Sequence, residues 1–151
     1  MRVLACDGIH EDGLTAFRQA GWEVVASDPI KEPEALAKAL KGVDVLIVRS
    51  ATKVPAEVIA ASDALKVIGR AGAGVDTIDV DAATEKGIAV MNAPDGNTLA
   101  AAEQALALLF ALARHTPRAD AGMKAGEWPK TGLTGFELEG KRLGVIGLGR
   151  I

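Results

Sequence analysis

The sequence predicts an α/β fold built on a doubly wound parallel sheet. Three observations predict it. Short Val- and Ile-rich runs recur along the chain with little polar alternation, as strands buried on both faces require. Helical stretches separate these runs, giving a βαβα order through residues 1–97. Glycines (Gly21, Gly42 and Gly87) stand where a helical stretch ends and the next apolar run begins, the usual place for a left-handed helix stop.

The elements follow in order. Residues 3–6 read as the first strand and 12–20 as the first helix. Residues 24–26 are the second strand. The second helix spans 33–41, opened by Pro33 and closed by Lys41. The third strand is 43–48, and Pro55 stands at the start of a helix over 55–62. The fourth strand is 67–69. A helix over 80–86 ends on Lys86, a cation suited to a helix C-terminus. The fifth strand is 88–91.

A longer helix covers 99–114, with Asn97 or Thr98 as its cap and Ala100 to Ala102 as strong helix formers. Residues 105–113 are apolar all round. A helix apolar on every side is buried on every side, between domains or at a subunit contact. A domain junction is therefore expected near 94–98, dividing the chain into 1–97 and 98–151. Residues 117–126 read as a more polar helix and 128–140 as a loop. Lys141-Arg142 leads into a last strand at 143–146.

Composition narrows the function class. The chain has 151 residues, 49% of them apolar and 25% charged. Lys plus Arg is 17 against 20 Asp plus Glu, for a net charge of −3. No basic excess is available to neutralise phosphates along a nucleic acid. The single cysteine, Cys6, excludes an internal disulfide framework and suits a reducing compartment. With only His10 and His115 besides, no Cys/His zinc site is expected. The longest apolar run has nine residues, against the roughly 20 of a membrane span. Asp7 arrives before a signal-like apolar core can form, so a cytoplasmic location is expected.

Four motifs stand at the ends of strands. Gly147-Leu148-Gly149-Arg150-Ile151 follows the run 143–146. A Gly-x-Gly turn after a strand is either the opening of a dinucleotide-binding fingerprint or an ordinary glycine turn; on the first reading, residues 98–151 are expected to be the truncated start of a Rossmann nucleotide-binding domain. Gly69-Arg70-Ala71-Gly72-Ala73-Gly74-Val75-Asp76 follows the fourth strand. It suits either a ligand meeting backbone N–H groups or a plain tight turn. Arg49-Ser50-Ala51-Thr52-Lys53 follows the third strand. Arg49 could grip a carboxylate or phosphate, with Ser50 and Thr52 adding hydroxyls; the plain alternative is a solvated loop. Two cationic loops at one sheet edge favour a small anionic ligand. Asn92-Ala93-Pro94-Asp95-Gly96-Asn97-Thr98 follows the fifth strand, as a turn and cap or as a cleft-facing turn.

Other candidates carry less. His10 and His115 lack sequence partners for acid–base work and read as surface or helix-end residues. Glu103 is either a buried, partnered carboxylate or a helix-surface residue. Cys6 reads as packing rather than nucleophile. A phosphorelay receiver shares the flavodoxin-like topology but needs an aspartate where this chain has Arg49.

At these loops the sequence resembles the N-terminal part of the D-isomer-specific 2-hydroxyacid dehydrogenases, within their phosphoglycerate dehydrogenase branch. The carrying segments are residues 46–54, 69–76, 90–98 with Ala102-Glu103, and 138–151, in family order along the whole chain. The resemblance implies NAD as cofactor and oxidation of 3-phospho-D-glycerate to 3-phosphooxypyruvate, the first step of serine synthesis. It implies a flavodoxin-like substrate lobe followed by a Rossmann domain. Matched position by position, it places Arg49, Ser50, Gly74 and Asn97 at the substrate. Ala73 falls where backbone meets the nicotinamide, and many relatives carry threonine there. Gly147, Gly149, Arg150 and Ile151 fall on the pyrophosphate turn. The helix over 99–114 is expected to join a homo-oligomer. The family's catalytic arginine, glutamate and histidine all lie beyond residue 151, so this chain alone is expected to be inactive. The alternatives are a non-catalytic module that binds a small anion or pairs with a full-length subunit, or a dehydrogenase for another D-2-hydroxy acid.

Overall fold

The computed structural model describes residues 1–128 and 130–151. It contains two compact units, Met1–Gly96 and Asn97–Ile151.

The first unit is a five-stranded, all-parallel sheet in the order β2-β1-β3-β4-β5. Its strands are β1 (Arg2–Ala5), β2 (Glu23–Ala26), β3 (Val45–Val48), β4 (Val67–Arg70) and β5 (Ala89–Asn92). Between them run α1 (Glu11–Gln19), α2 (Pro33–Ala39), α3 (Ala56–Ala61) and α4 (Val80–Glu85). This is the flavodoxin-like doubly wound order, with its reversal of winding between β1 and β3.

One row of strand residues (Leu4, Leu46, Val48 and Ile68) joins Leu36, Leu40, Val58, Ile59 and Ala83 of the helical layer in a single buried core. Burial on both sides holds for the central strand β3, where only Ile47 is partly exposed. It fails for β2 and β5, which lie at the sheet's edges and are largely exposed. On the other face Val45, Ile47, Val67 and Met91 line a shallow apolar groove of about 510 Å³ with Phe17 and Trp22. The Phe17 and Trp22 rings pack with centroids 5.5 Å apart.

Helix ends follow local chemistry. Pro33 opens α2, where its missing N–H is no loss. His10 caps α1 by accepting from the Asp12 N–H, and Asp79 caps α4 by accepting from Ala82 N–H. Gly21, Gly42 and Gly87 all take left-handed φ, between 69° and 77°. Lys41 and Lys86 do more than complement their own helices. Lys86 Nζ donates to the carbonyls of Ile59, Ala60 and Ser62, and Lys41 Nζ to that of Ala61. Both cations thus serve the C-terminus of α3, which has no basic residue in its own last turn.

The second unit holds α5 (Thr98–Arg114) and α6 (Thr116–Lys124), separated by His115 in a left-handed conformation. The chain then returns to the end of α5. Phe136 N–H donates to Ala113 O at 3.0 Å, and a Cβ on Gly135 would lie 2.1 Å from that same oxygen. Only glycine fits there.

Three expectations for this unit are corrected. Asn97 occupies the N-cap of α5, but neither it nor Thr98 caps through its side chain. At φ −132°, ψ 9°, Asn97 is outside the extended conformation that brings a capping oxygen onto the first turn. Residues 105–113 are not buried all round, since Leu106, Leu108, Phe110 and Leu112 are exposed and only Ala113 is enclosed. Residues 143–146 form no strand: the sheet has no sixth member among the described residues, and Ile146 is fully exposed. A strand needs a partner to take its N–H and C=O groups, and this segment has none among the described residues. The loop expected over 128–140 contains no helix or strand in its described residues; Pro129 lies outside them.

Candidate functional site

In an open parallel sheet the ligand crevice lies beyond the carboxyl ends of the strands, where the winding reverses. Here that point is flanked by the segments after β1 and β3. The register pairs Val48 with Arg70 and Arg70 with Asn92, so the loops after β3, β4 and β5 start side by side. A parallel bridge between Val54 and Ile78 ties the far ends of the first two. Its bonds run from Val54 N–H to Thr77 O and from Asp79 N–H to Val54 O. The Arg49–Lys53 stretch and the glycine loop are therefore pinned together at both ends.

Within the first loop, Arg49, Ser50, Ala51 and Lys53 are exposed while Thr52 is completely buried. Thr52 is held by Asp7, which follows β1 and is itself buried. One Asp7 carboxylate oxygen accepts from Arg49 N–H at 2.7 Å and Thr52 N–H at 3.1 Å; the other accepts the Thr52 hydroxyl at 2.5 Å. Thr52 Oγ1 in turn accepts from Ile30 N–H, in the loop after β2. Burial alone would raise the Asp7 carboxyl. The hydroxyl of Thr52 and the N–H groups of Thr52, Arg49 and Ala51 outweigh it and hold the acid below its usual range. Neighbouring Cys6 is pushed up to about 11, mainly by burial and then by the Asp7 charge, with the Thr52 hydroxyl opposing. It is a protonated packing residue.

The glycine loop is held as closely. Ala71 N–H donates to Val48 O, Ala93 N–H to Gly72 O, and the Asn92 side-chain amide to Ala73 O at 2.6 Å. A Cβ on Gly72 would lie 1.6 Å from an Arg70 guanidinium nitrogen, so the glycine makes room for that side chain. Arg70 is half-buried, and its Nε is enclosed without a hydrogen-bond partner among the described residues.

The first unit thus brings together Arg49, Ser50, Ala73 and Gly74. Asn97, Gly147, Gly149, Arg150 and Ile151 belong to the second unit. There the last four are exposed, and Gly147 has φ +91°. His10 and His115 sit at helix ends, and Glu103 is on the exposed surface of α5. Among the described residues no cluster of His, Cys, Asp or Glu could hold a metal ion. No helix among them is long and apolar enough to cross a membrane. Sequence reasoning misses Asp7. An aspartate before a glycine, at the end of the strand beside the reversal, is the available signal.

A family model for the D-isomer specific 2-hydroxyacid dehydrogenase catalytic domain matches residues 3–139. The chain belongs to the D-isomer specific 2-hydroxyacid dehydrogenase family. Among curated members of this dehydrogenase family, D-3-phosphoglycerate dehydrogenase of Methanocaldococcus jannaschii is 52% identical over the whole chain, and the human enzyme of that name is 47% identical over 150 residues. The chain spans 28% of the length of each of these relatives. A solved protein of Thermus thermophilus superposes with a TM-score of 0.90 at 36% identity, covering 99% of this chain and 50% of that one. The NAD+-bound 3-phosphoglycerate dehydrogenase of Entamoeba histolytica gives 0.67 at 33%, covering 76% of this chain and 39% of that one. The dehydrogenase family accounts for the parallel sheet.

Proposed function

We propose that these residues are the substrate-facing portion of an NAD-dependent D-3-phosphoglycerate dehydrogenase, which oxidises 3-phospho-D-glycerate to 3-phosphooxypyruvate. The observation that carries this reading is the pinned pair of loops after β3 and β4. It sets exposed Arg49, Ser50 and Lys53 beside a glycine loop at the reversal of the sheet. Rigid cationic and hydroxyl donors at such an edge suit a small acid carrying carboxylate and phosphate. Whole-chain likeness to enzymes named for that substrate supports it over other 2-hydroxy acids.

In this reading Arg49 and Ser50 hold the acid's anionic end, with Arg70 beneath. Gly74 adds to the substrate contacts, and residues 1–97 act as the substrate domain. Ala73 contributes backbone to the nicotinamide side. Residues 98–151 begin the NAD-binding domain. Gly147 and Gly149 stand in the Gly-x-Gly turn, where the absence of a side chain lets backbone approach a pyrophosphate. With Arg150 and Ile151 they would hold that group. Bound NAD supplies the hydride acceptor; this chain's part is to bind and orient the acid whose C2 hydrogen leaves. The groups that exchange the proton lie outside these 151 residues. We place the protein in the cytoplasm, paired with a second copy through α5.

The test is NADH formation by the protein isolated at its native length, offered 3-phospho-D-glycerate, D-glycerate and D-lactate at equal concentration. Preferred turnover of the phosphorylated acid supports the reading. Preference for an unphosphorylated acid overturns the substrate, and absence of NAD reduction with all three overturns the activity.

A further inference from the structure

The loop that carries Arg49 and Ser50 has no regular structure between β3 and the Val54 bridge, yet its backbone is fixed. We infer that Asp7 is the positioning residue of this loop: one buried carboxylate draws the Arg49 and Thr52 backbone inward and leaves the Arg49 and Ser50 side chains to meet the ligand. The inference deepens the function proposed above and rests on it for the identity of the ligand.

The geometry carries it. Asp7 lies in the left-handed region at φ +68°, where few residues other than glycine settle and aspartate is among the more tolerant. That conformation ends β1 and turns the carboxylate across the sheet edge to the loop after β3. Its two oxygens hold the Arg49 N–H, the Thr52 N–H and the Thr52 hydroxyl, and Thr52 Oγ1 passes the connection to Ile30 N–H. The segments after β1, β2 and β3 are tied through the Asp7 and Thr52 side chains at the place where the winding reverses. Thr52, wholly buried among exposed neighbours, is the peg.

A chemical consequence follows. The N–H groups of Arg49 and Thr52 are committed to Asp7, so they are not available to an anionic ligand. Within this loop recognition then falls on the Arg49 and Ser50 side chains rather than on those two N–H groups. It also requires a full carboxylate. An asparagine could keep the two N–H bonds through its oxygen, but its NH2 group would face Thr52 Oγ1, and the hydroxyl hydrogen would lose its acceptor.

The experiment compares Asp7→Ala, Asp7→Asn, Thr52→Val and Thr52→Ser with the parent in the native-length protein. Two quantities are read: amide hydrogen exchange at Arg49 and Thr52 against Ile47 in β3, and KM and kcat for 3-phospho-D-glycerate. Asp7→Ala is expected to lower protection at Arg49 and Thr52 by about 100-fold or more while Ile47 is unchanged. It is expected to raise KM by about tenfold or more with kcat within about threefold. Thr52→Val behaves likewise in smaller measure, Thr52→Ser restores both readouts, and Asp7→Asn falls between. Should Asp7→Ala not fold, Thr52→Val and its rescue by serine decide the matter.

Unchanged protection at Arg49 and Thr52, or loss of protection without a selective rise in KM, overturns the inference. So does a fall confined to kcat. If the parent turns over a different acid, the function proposed above fails, and the same KM comparison on that acid still decides the role of Asp7. If the parent turns over none, affinity for inorganic phosphate replaces KM, with the same tenfold criterion.

Discussion

Asn92, the last residue of β5, donates its side-chain amide to the carbonyl of Ala73 at 2.6 Å, across 19 residues of sequence. The contact fastens the middle of the glycine loop to the neighbouring strand end. The carbonyl it fixes belongs to the residue we place at the nicotinamide. Asn92→Ala should therefore loosen the loop, at a cost of about 1 kcal/mol in stability. KM for both substrate and NAD should rise several-fold, as steady-state kinetics on the native-length protein would show. A variant altered in stability alone would count against the clamp.

Lys86 ties the end of α4 to the end of α3. Its ammonium meets three carbonyls at the end of a helix that has no cation of its own. Lys86→Met should lower the unfolding free energy by about 2 kcal/mol, in line with hydrogen bonds to charged groups. Lys41→Met, which removes one exposed bond to Ala61 O and a long, exposed ion pair with Asp63, should cost about 0.5 kcal/mol. Urea melts of the two variants give the comparison, and equal effects would refute it.

Acid stability should turn on three aspartates. Asp7 is held below the usual range against its burial, by the bonds described above. Asp44 is held low by the Lys66 ammonium and the Arg2 N–H, and Asp63 by the Gly42 N–H, with Lys41 adding to it. Each folded pKa is depressed, so the unfolded chain binds more protons in the window between the two values. Stability from these groups is full above the ordinary carboxylate range, near pH 4, and falls as pH drops through the folded values. Urea melts should give a plateau above about pH 5 and a decline below about pH 4. Asp44→Asn should make that decline shallower.

Cys6 should behave as a sealed thiol. Its folded pKa of about 11 is above that of an exposed thiol, so the unfolded chain loses its proton first as pH rises. Stability should fall between about pH 9 and pH 11, and Cys6→Ser should flatten that fall. At pH 8 an aromatic disulfide reagent should label the thiol only at the rate of unfolding. Fast labelling of the folded protein would contradict its burial.

The exposed apolar residues of α5 make a further prediction. Leu106, Leu108, Phe110 and Leu112 are each more than half exposed on one short stretch. Apolar surface so concentrated favours association. Sedimentation of the 151-residue chain should show concentration-dependent oligomers, and Leu108→Asp with Phe110→Asp should shift them toward monomer. A wild-type chain monomeric at every concentration would contradict pairing through α5.

Residues 1–92 are legible in the sequence because pattern and punctuation agree there. Val- and Ile-rich strands, Pro33 and the glycines after helices are local signals, and the structure obeys them within a few residues. The Arg49–Lys53 and Gly69–Asp76 loops are legible as strand-end motifs. What holds them is not. Asp7 is 42 residues from Arg49 and Asn92 is 19 from Ala73, and no local pattern announces a contact at that range. Lys86 reads as the end of its own helix and serves another for the same reason. Residues 143–146 carry a strand's composition, but a strand is a pairing, and composition names no partner. The all-apolar run 105–113 likewise specifies that something must cover it without specifying what.

Placement of substrate at the Arg49 loop is tested most directly by kcat/KM for 3-phospho-D-glycerate with NAD, measured on the native-length protein before and after Arg49→Ala. Turnover by the parent is expected, with a loss of about 100-fold in the variant, as removal of a charged contact to a bound anion entails. An active parent whose Arg49→Ala variant retains its kcat/KM would contradict that placement, and with it the site described here.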